Sequence, residues 1–221
     1  LTGVRSPVLI PHPWQCRLEG ERLELRGVSI TGAAQDPCLG AAARALFTSL
    51  GVAHEFAAGQ ASWSGHYTTR LVLGDGTQRE LAREFSRCFP GYGWADLEEQ
   101  GYFLAVVKGE GRSHIYVGAN SPVGRFYALQ TLRQLVQGEP TTRTRHIHEA
   151  EILDKPTVTC RGIPMGLQWF ERRSGEALRR LTQLKFNFVW VQGSFLDNYL
   201  DTDNWRRDFT PAQETLLREF F

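Results

Sequence analysis

The chain of 221 residues lacks the features that mark several common protein classes. Its four cysteines, Cys16, Cys38, Cys88 and Cys160, stand far apart and form no C-x-x-C pair, which argues against a zinc site or a dense disulfide scaffold. No apolar run approaches the roughly 18 residues that a membrane-spanning helix needs. Basic and acidic residues number 25 and 24. The charge therefore gives no reason to expect nucleic acid or a membrane surface as a partner, and we predict neither.

The familiar catalytic and nucleotide-binding motifs are missing as well. No Walker-type loop, no G-x-S-x-G and no H-E-x-x-H occurs, and the glycine-rich stretches at 91–96 and 109–114 lack a third glycine. His146 and His148 share one face of a predicted strand, and Glu149 follows them. Without another His or Cys at ligand spacing nearby, exposed strand histidines are the favoured interpretation. We predict no metal site and no cofactor.

What the chain does have is enough apolar material for a packed core. Hydrophobic residues make up 42% and aromatic residues 11% of the sequence, which excludes a disordered chain. The length suits one large domain, or a medium domain plus part of another. Because the first residue is Leu1 rather than Met, removal of a signal peptide is compatible with the sequence, as is a cytoplasmic protein.

The first two thirds of the sequence predict a mixture of strands and helices. Residues 7–32 are extended in character, 37–51 have helical spacing, 68–75 form a strand, and 101–120 form a hairpin. Residues 121–137 then predict a helix, with Ser121 as N-cap and Pro122 at the first position. Its apolar face includes Val123 and Phe126, and Gly124 indicates a close approach to a neighbouring strand. We therefore expect this helix to pack on a sheet that contains the hairpin.

The pattern changes after the predicted strand and linker at 146–158. A strand at 160–170, a helix at 174–185, a continuous apolar strand at 186–192 and a helix from 209 predict a parallel βαβα unit. The strand at 186–192 is of the kind that is buried on both faces. The loop between 195 and 209 carries four aspartates and the aromatic residues Tyr199 and Trp205. It is either a solvated loop or part of a site, because segments after the carboxyl ends of barrel strands build active faces. Trp190 is either a core residue or a surface on which a sugar stacks.

Two segments resemble one group of sugar-cleaving enzymes. Residues 115–139, with "SPVGRFYALQTLRQL", resemble the non-catalytic α/β domain that precedes the barrel in family 20 β-N-acetylhexosaminidases. Residues 154–192 look like the opening of that family's (β/α)8 barrel. Similar domains precede the barrels of family 84 enzymes and of α-glucuronidases. The resemblance implies an α+β domain with a mixed sheet over residues 1–150, followed by the first βα units of an incomplete barrel over residues 151–221.

The resemblance also implies a site. Family 20 places a sugar-binding arginine at the start of barrel strand 1, where this chain has Arg161, and an arginine fork suits vicinal hydroxyls. The chain departs from the family at Gly166, where an aspartate is usual, and at Gln192, where a histidine is usual. The segment 198–209 resembles the family 84 loop with its tryptophan and arginine, although that family's lysine falls near Ser194.

The implied activity is retaining, substrate-assisted hydrolysis of an N-acetylhexosamine-containing glycan, without a metal or organic cofactor. A complete barrel takes about 250 residues, so the stretch from Arg161 to Phe221 accommodates roughly two of its eight units. The catalytic acidic pair of these families lies after strand 4. We therefore expect no catalytic residue in this chain and no activity from it alone. An α-glucuronidase-like hydrolase and a non-catalytic carbohydrate-binding or interaction module are the alternatives.

Overall fold

The structure, a computed structural model, describes residues 7–32, 36–57, 67–138 and 144–192. The chain divides into two compact units, of which the first ends at Thr159 and the second begins at Cys160. All four cysteines are free thiols: Cys88 is buried, Cys16 is partly buried, and Cys38 and Cys160 are exposed. Among the helices described, none is long and apolar enough to cross a membrane.

The first unit alternates strands and helices. Its helices are α1 (Pro37–Leu50), α2 (Arg79–Cys88) and α3 (Pro122–Leu135), with a short 3-10 helix at Trp94–Leu97. Its strands are β1 (Gln15–Arg17), β2 (Arg22–Glu24), β3 (Gly27–Thr31), β4 (Ala53–Phe56), β5 (Thr69–Gly74), β6 (Tyr102–Gly109), β7 (Arg112–Gly118), β8 (Gln137–Gly138), β9 (Arg145–His148) and β10 (Ala150–Asp154).

Seven of these strands form one mixed sheet in the order β1-β10-β6-β7-β5-β3-β4. β3, β4, β5 and β7 run parallel to their neighbours within that group, whereas β6 pairs antiparallel with both β7 and β10. The predicted hairpin is the pair β6 and β7. The predictions of a hairpin and of a mixed sheet are confirmed. A second sheet, in the order β2-β9-β8, is small and antiparallel.

Alternation along the central strands sends apolar side chains to both faces of the large sheet, because successive side chains in a strand point to opposite sides. Leu71, Leu104 and Ile115 pack with α1 and α3 in one core cluster. On the other face, Val72 and Phe103 pack with α2. The first unit therefore has three layers, with its apolar strands enclosed on both sides.

Local signals set the ends of α1 and α3. The Asp36 side chain accepts a hydrogen bond from Leu39 N at 3.0 Å, and α1 ends at Gly51 with φ 66°. Ser121 Oγ accepts from Gly124 N at 3.0 Å and Pro122 follows, so the predicted N-terminus of α3 is confirmed. The helix ends at Leu135, two residues before the predicted end, because Gln137 pairs with His146 in the small sheet.

Gly124 brings α3 close to the backbone in front of β6. A Cβ at this position would lie 2.3 Å from the carbonyl oxygen of Gly101 and 2.7 Å from Cβ of Ala119. The predicted close approach is confirmed, and only glycine fits it without displacement. The assignment of Val123 to the apolar face is wrong, because 41% of this residue is exposed; it lies in the first turn of the helix, before the buried stripe begins.

The strand predicted in the segment 146–158 is two strands in different sheets. β9 belongs to the small sheet and β10 to the large one, and Glu149 separates them. Glu149 Oε2 accepts from Glu21 N at 2.9 Å, while Oε1 accepts from Lys108 N at 3.1 Å. These two backbone hydrogen bonds, with burial opposing them, hold the pKa of Glu149 below its ordinary value. The carboxylate thus ties the two sheets together at the point where the chain changes direction.

The second unit contains β11 (Gly162–Gly166), α4 (Leu167–Gln183) and β12 (Phe188–Gln192). The two strands are parallel, which confirms the predicted βαβ arrangement of this stretch. The helix begins at Leu167 rather than at the predicted Ser174. Predicted burial on both faces of β12 is wrong: Phe188 and Trp190 are 50% and 57% exposed. The predicted loop at 195–209 and the helix from 209 lie outside the described residues.

Candidate functional site

The arginine that the resemblance singles out lies at the entrance to the second unit. Arg161 immediately precedes β11, and its side chain is partly buried. Its Nε donates a hydrogen bond to the carbonyl oxygen of Lys185 at 2.9 Å. Lys185 has φ 63° and is only 3% exposed, so it forms a tight, buried turn between α4 and β12. The guanidinium therefore braces the turn that leads into the second strand.

Asn187 completes this brace through the backbone of Arg161. Its Oδ1 accepts from Arg161 N at 2.8 Å, and its own N–H donates to Arg161 O at 2.9 Å. The side chain and the backbone N–H of Asn187 thus bond to the backbone N–H and the carbonyl oxygen of Arg161, respectively. We call Arg161, Lys185 and Asn187 the entry clamp. It fixes the register with which β11 and β12 start.

At the opposite end, the same register places Gly166 next to Gln192. These are the two positions at which the sequence departs from the family pattern. Carboxyl ends of parallel strands form the active face of an α/β barrel, so both departures would lie at the active face of the predicted barrel. The two strand ends have neither the aspartate nor the histidine that is usual there.

Arg161 itself lies at the amino end of β11. At about 3.3 Å per residue in a parallel strand, its backbone is about 16 Å from Gly166. The structure therefore brings Gly166 and Gln192 together but places Arg161 at the other edge of the two strands. Its sugar-binding role stays a prediction. The aspartate-rich loop with Tyr199 and Trp205, and Ser194, lie outside the described residues.

The histidine pair singled out for a metal lies in the small sheet. His146 and His148 are half-buried rather than exposed, so that part of the interpretation is wrong. Their Nε2 atoms are buried and have no hydrogen-bond partner in the part of the chain that the structure describes. Both oxygens of Glu149 already accept from backbone N–H groups. Within the described ranges, no group of three or more His, Cys, Asp or Glu side chains is arranged to hold a metal ion.

The structure also shows a buried polar group that sequence reasoning missed. The Tyr102 hydroxyl lies 2.6 Å from Thr131 Oγ1 and donates to Asp154 Oδ2 at 2.8 Å. Burial, followed by the charge of Asp154, raises the pKa of Tyr102 well above its ordinary value. Because the hydroxyl has no access to a substrate, this group joins β6, α3 and β10 rather than forming a site. The sequence signal was weak: Tyr102 is the first residue of one apolar strand, and Asp154 is the last residue of another.

A comparison with known families decides the class of the first unit. Residues 6–155, more than half of the chain, match glycosyl hydrolase family 20, domain 2. The chain belongs to glycosyl hydrolase family 20. The matched residues are those of the first unit, up to the residue after β10. The predicted family membership is confirmed, and so is the α+β character of the family 20 domain.

Solved structures with the same fold come from family 20 and family 84. The β-N-acetylhexosaminidase of Bacteroides fragilis is 22% identical, with a TM-score of 0.57 over 83% of this chain and 32% of its own. The family 20 exo-β-N-acetylglucosaminidase of Vibrio harveyi, in complex with N-acetylglucosamine, is 16% identical, with a TM-score of 0.57 over 85% and 26%. CpGH84D is 15% identical, with a TM-score of 0.71 over 96% and 34%. The chain spans about a third or less of the chains it matches.

Proposed function

We propose that this chain is the N-terminal portion of a retaining, substrate-assisted β-N-acetylhexosaminidase. The observation that carries the proposal is the order of the two units along the chain. A family 20 domain over residues 6–155 is followed directly by a parallel βαβ unit, β11–α4–β12. That order is the one expected of a non-catalytic domain in front of a (β/α)8 barrel. The solved structures named for hexosaminidase activity support the choice of a glycan that contains N-acetylhexosamine.

The proposed chemistry uses the substrate's own acetamido oxygen as the nucleophile. One carboxylate orients the acetamido group, while a second protonates the leaving oxygen and then activates water. We place this acidic pair after a fourth barrel strand, beyond residue 221. The 221 residues by themselves are accordingly expected to be inactive, and Arg161 is expected to contribute to sugar binding. No metal or organic cofactor enters the proposed mechanism.

A family 84-like enzyme is the second candidate. The structures CpGH84B and CpGH84D each cover 96% of this chain, with TM-scores of 0.67 and 0.71. The two family 20 structures described above cover 83% and 85%. All four structures cover more than the first unit alone, and the fuller coverage agrees with the departures of the second unit from family 20 at Gly166 and Gln192. At 15% and 16% identity, this likeness is one of fold.

The decisive experiment compares two proteins on two substrates. The 221-residue chain and a longer protein that includes a complete barrel are each assayed for release of phenol from an aryl N-acetyl-β-glucosaminide and from an aryl α-glucuronide. We expect turnover of the first substrate by the longer protein only. Turnover by the 221-residue chain would overturn the assignment of the acidic pair. Hydrolysis of only the α-glucuronide would favour an α-glucuronidase-like hydrolase. Hydrolysis of neither substrate would favour a non-catalytic carbohydrate-binding module.

Arg161 is tested in the longer protein. Arg161→Ala is expected to lower kcat/KM by more than tenfold, which corresponds to at least about 1.4 kcal/mol of transition-state binding. The matched control is Asn187→Ala, which removes a hydrogen bond of the entry clamp and leaves the guanidinium in place. An equal loss in both variants would mean that Arg161 acts only through the clamp. A loss confined to Arg161→Ala, with a melting temperature no lower than that of Asn187→Ala, supports contact with the sugar.

A further inference from the structure

Trp14, in the first unit, is a tryptophan that the core does not enclose. Trp14, just before the edge strand β1, is 49% exposed. A large aromatic ring left open to solvent costs free energy in proportion to its apolar area, and tryptophan and tyrosine are enriched where proteins contact ligands and partners. The exposure alone does not identify a ligand. The groups around the ring do.

Trp14 is held in place by three separate contacts. Its backbone N–H donates to Asp154 Oδ1 at 3.2 Å. The ring of Tyr92 is nearly perpendicular to the indole ring, with centroids 5.4 Å apart and planes at 79°. The ammonium group of Lys155 lies 5.1 Å from the centre of the indole ring. A side chain held by a backbone hydrogen bond, an aromatic neighbour and a cation is pre-organised, so ordering it on binding costs little further entropy.

Polar groups lie near this ring. Gln15 Nε2 donates to the Tyr92 hydroxyl at 2.5 Å, which leaves the tyrosine O–H as a donor and Gln15 Oε1 as an acceptor. In the part of the chain that the structure describes, neither of these has a protein partner. The charge of Lys155 is matched by Glu98, whose Oε1 lies 2.7 Å from Nζ. The surroundings are thus rich in hydrogen-bonding groups and balanced in charge.

We propose that Trp14, Gln15, Tyr92 and Lys155 form a carbohydrate-binding site on the first unit. A pyranose has an apolar face of C–H groups that suits an aromatic ring, and a rim of hydroxyls that suits amide and phenol groups. The balanced charge disfavours an anionic ligand, and the polar rim distinguishes the cluster from a purely apolar docking surface. The ligand class is therefore a neutral or N-acetylated oligosaccharide. The site depends neither on Arg161 nor on hydrolysis.

The same sheet offers a matched control at its other edge. Phe56, the last residue of β4, is 36% exposed, and the guanidinium of Arg44 lies 4.9 Å from its ring centre. It therefore shares with Trp14 a partly exposed ring and a neighbouring cation. Among the described residues, Phe56 has the half-buried ring of His54 at 6.4 Å as its aromatic neighbour and no amide-to-phenol pair beside it. Phe56→Ala therefore tests whether an exposed ring beside a cation is enough for sugar binding.

The experiment is calorimetric titration of the 221-residue chain with chitotriose and, separately, with cellotriose. We expect saturable binding of at least one sugar with a dissociation constant of about 1 mM or lower. Trp14→Ala should weaken it by about tenfold or more, as for other aromatic anchors, and Gln15→Ala by a smaller factor. Phe56→Ala should leave it unchanged. Circular dichroism melting of each variant shows whether the fold is retained.

The outcomes separate the alternatives. Absence of binding by the unmodified chain, or binding that Trp14→Ala leaves intact, would overturn the proposal. An equal loss in Phe56→Ala would also overturn it. If the unmodified chain binds no sugar and Trp14→Ala lowers the melting temperature, Trp14 is a packing residue, and the site is likewise refuted. Because the assay needs no turnover, its failure leaves the proposed hydrolase untouched, and an inactive barrel would leave this site standing.

Discussion

The two units of the chain enclose their strands to different extents. In the first unit, helices lie on both faces of the seven-stranded sheet, and Leu71, Phe103 and Ile115 are fully buried. In the second unit, α4 packs against β11 and β12, while Phe188 and Trp190 are 50% and 57% exposed. Stability in the first unit therefore rests on packing that tolerates little change. The described strands of the second unit still present apolar surface to which further contacts can be added.

The largest expected contrast comes from the helical glycines of the two units. Gly124→Leu should lower the free energy of unfolding by about 3 kcal/mol, because the added side chain collides with the Gly101 carbonyl and overpacking is costly. Gly175, in α4, has nothing within 4 Å of an added Cβ. Gly175→Leu should therefore be neutral or raise stability by up to about 0.8 kcal/mol through helix propensity. Urea unfolding measures both, and equal effects would remove the distinction.

A smaller effect is expected from the buried hydroxyl of the first unit. Tyr102→Phe removes the donor to Asp154 Oδ2 and the contact with Thr131 Oγ1. A buried carboxylate oxygen that loses a hydrogen bond costs about 1–3 kcal/mol. Denaturant unfolding should show that loss, and Tyr116→Phe, at a half-buried hydroxyl, provides the comparison. A Tyr102→Phe variant as stable as the unmodified chain would mean that the group contributes nothing net.

Substitutions on the exposed face of β12, by contrast, should hardly change stability. Replacing both Phe188 and Trp190 by serine should change the free energy of unfolding by less than about 0.5 kcal/mol, as for other surface positions. The same change should reduce self-association, since exposed apolar patches mark interaction surfaces. Light scattering at several concentrations measures this. A monodisperse, monomeric unmodified chain would contradict the expectation of an open face.

The smallest effect is a dependence on pH within the first unit. Burial, and then the charge of Arg70, lowers the pKa of His114 below its ordinary value, with Glu80 and Glu84 opposing and Arg112 adding to the shift. The unfolded chain therefore binds a proton more tightly than the folded one. The contribution of neutral His114 to stability is fully present above the pKa of about 6.5 that histidine has in the unfolded chain. It declines as the pH falls toward the lower pKa of His114 in the folded protein. His114→Gln should flatten that part of a stability profile, whereas an unaltered slope would assign it to other groups.

Sequence reasoning succeeded where local chemistry determines the backbone. Ser121 and Pro122 predicted the start of α3, and the alternation around residues 101–120 predicted the hairpin. It failed where a distant segment competes for the same residues. Gln137 leaves the helix because it pairs with His146, and Glu149 interrupts a predicted strand because Glu21 and Lys108 bind its carboxylate. For the candidate site, the sequence identified Arg161, Gly166 and Gln192 individually. Only pairing showed that Gly166 and Gln192 meet at one edge and that Arg161 lies at the other.

By itself, the sequence determined the classes of element, their order and the family, because capping residues, hydrophobic periods and turn residues act over a few positions. The tertiary structure alone decided which faces are closed and which residues meet. Trp14 shows the difference: its neighbours Tyr92 and Lys155 are far away in the chain, and neither a period nor a motif links them. They come together through the pairing of β1 with β10 and the packing beside it. Contacts of that kind depend on the free energy of the whole core rather than on any local pattern.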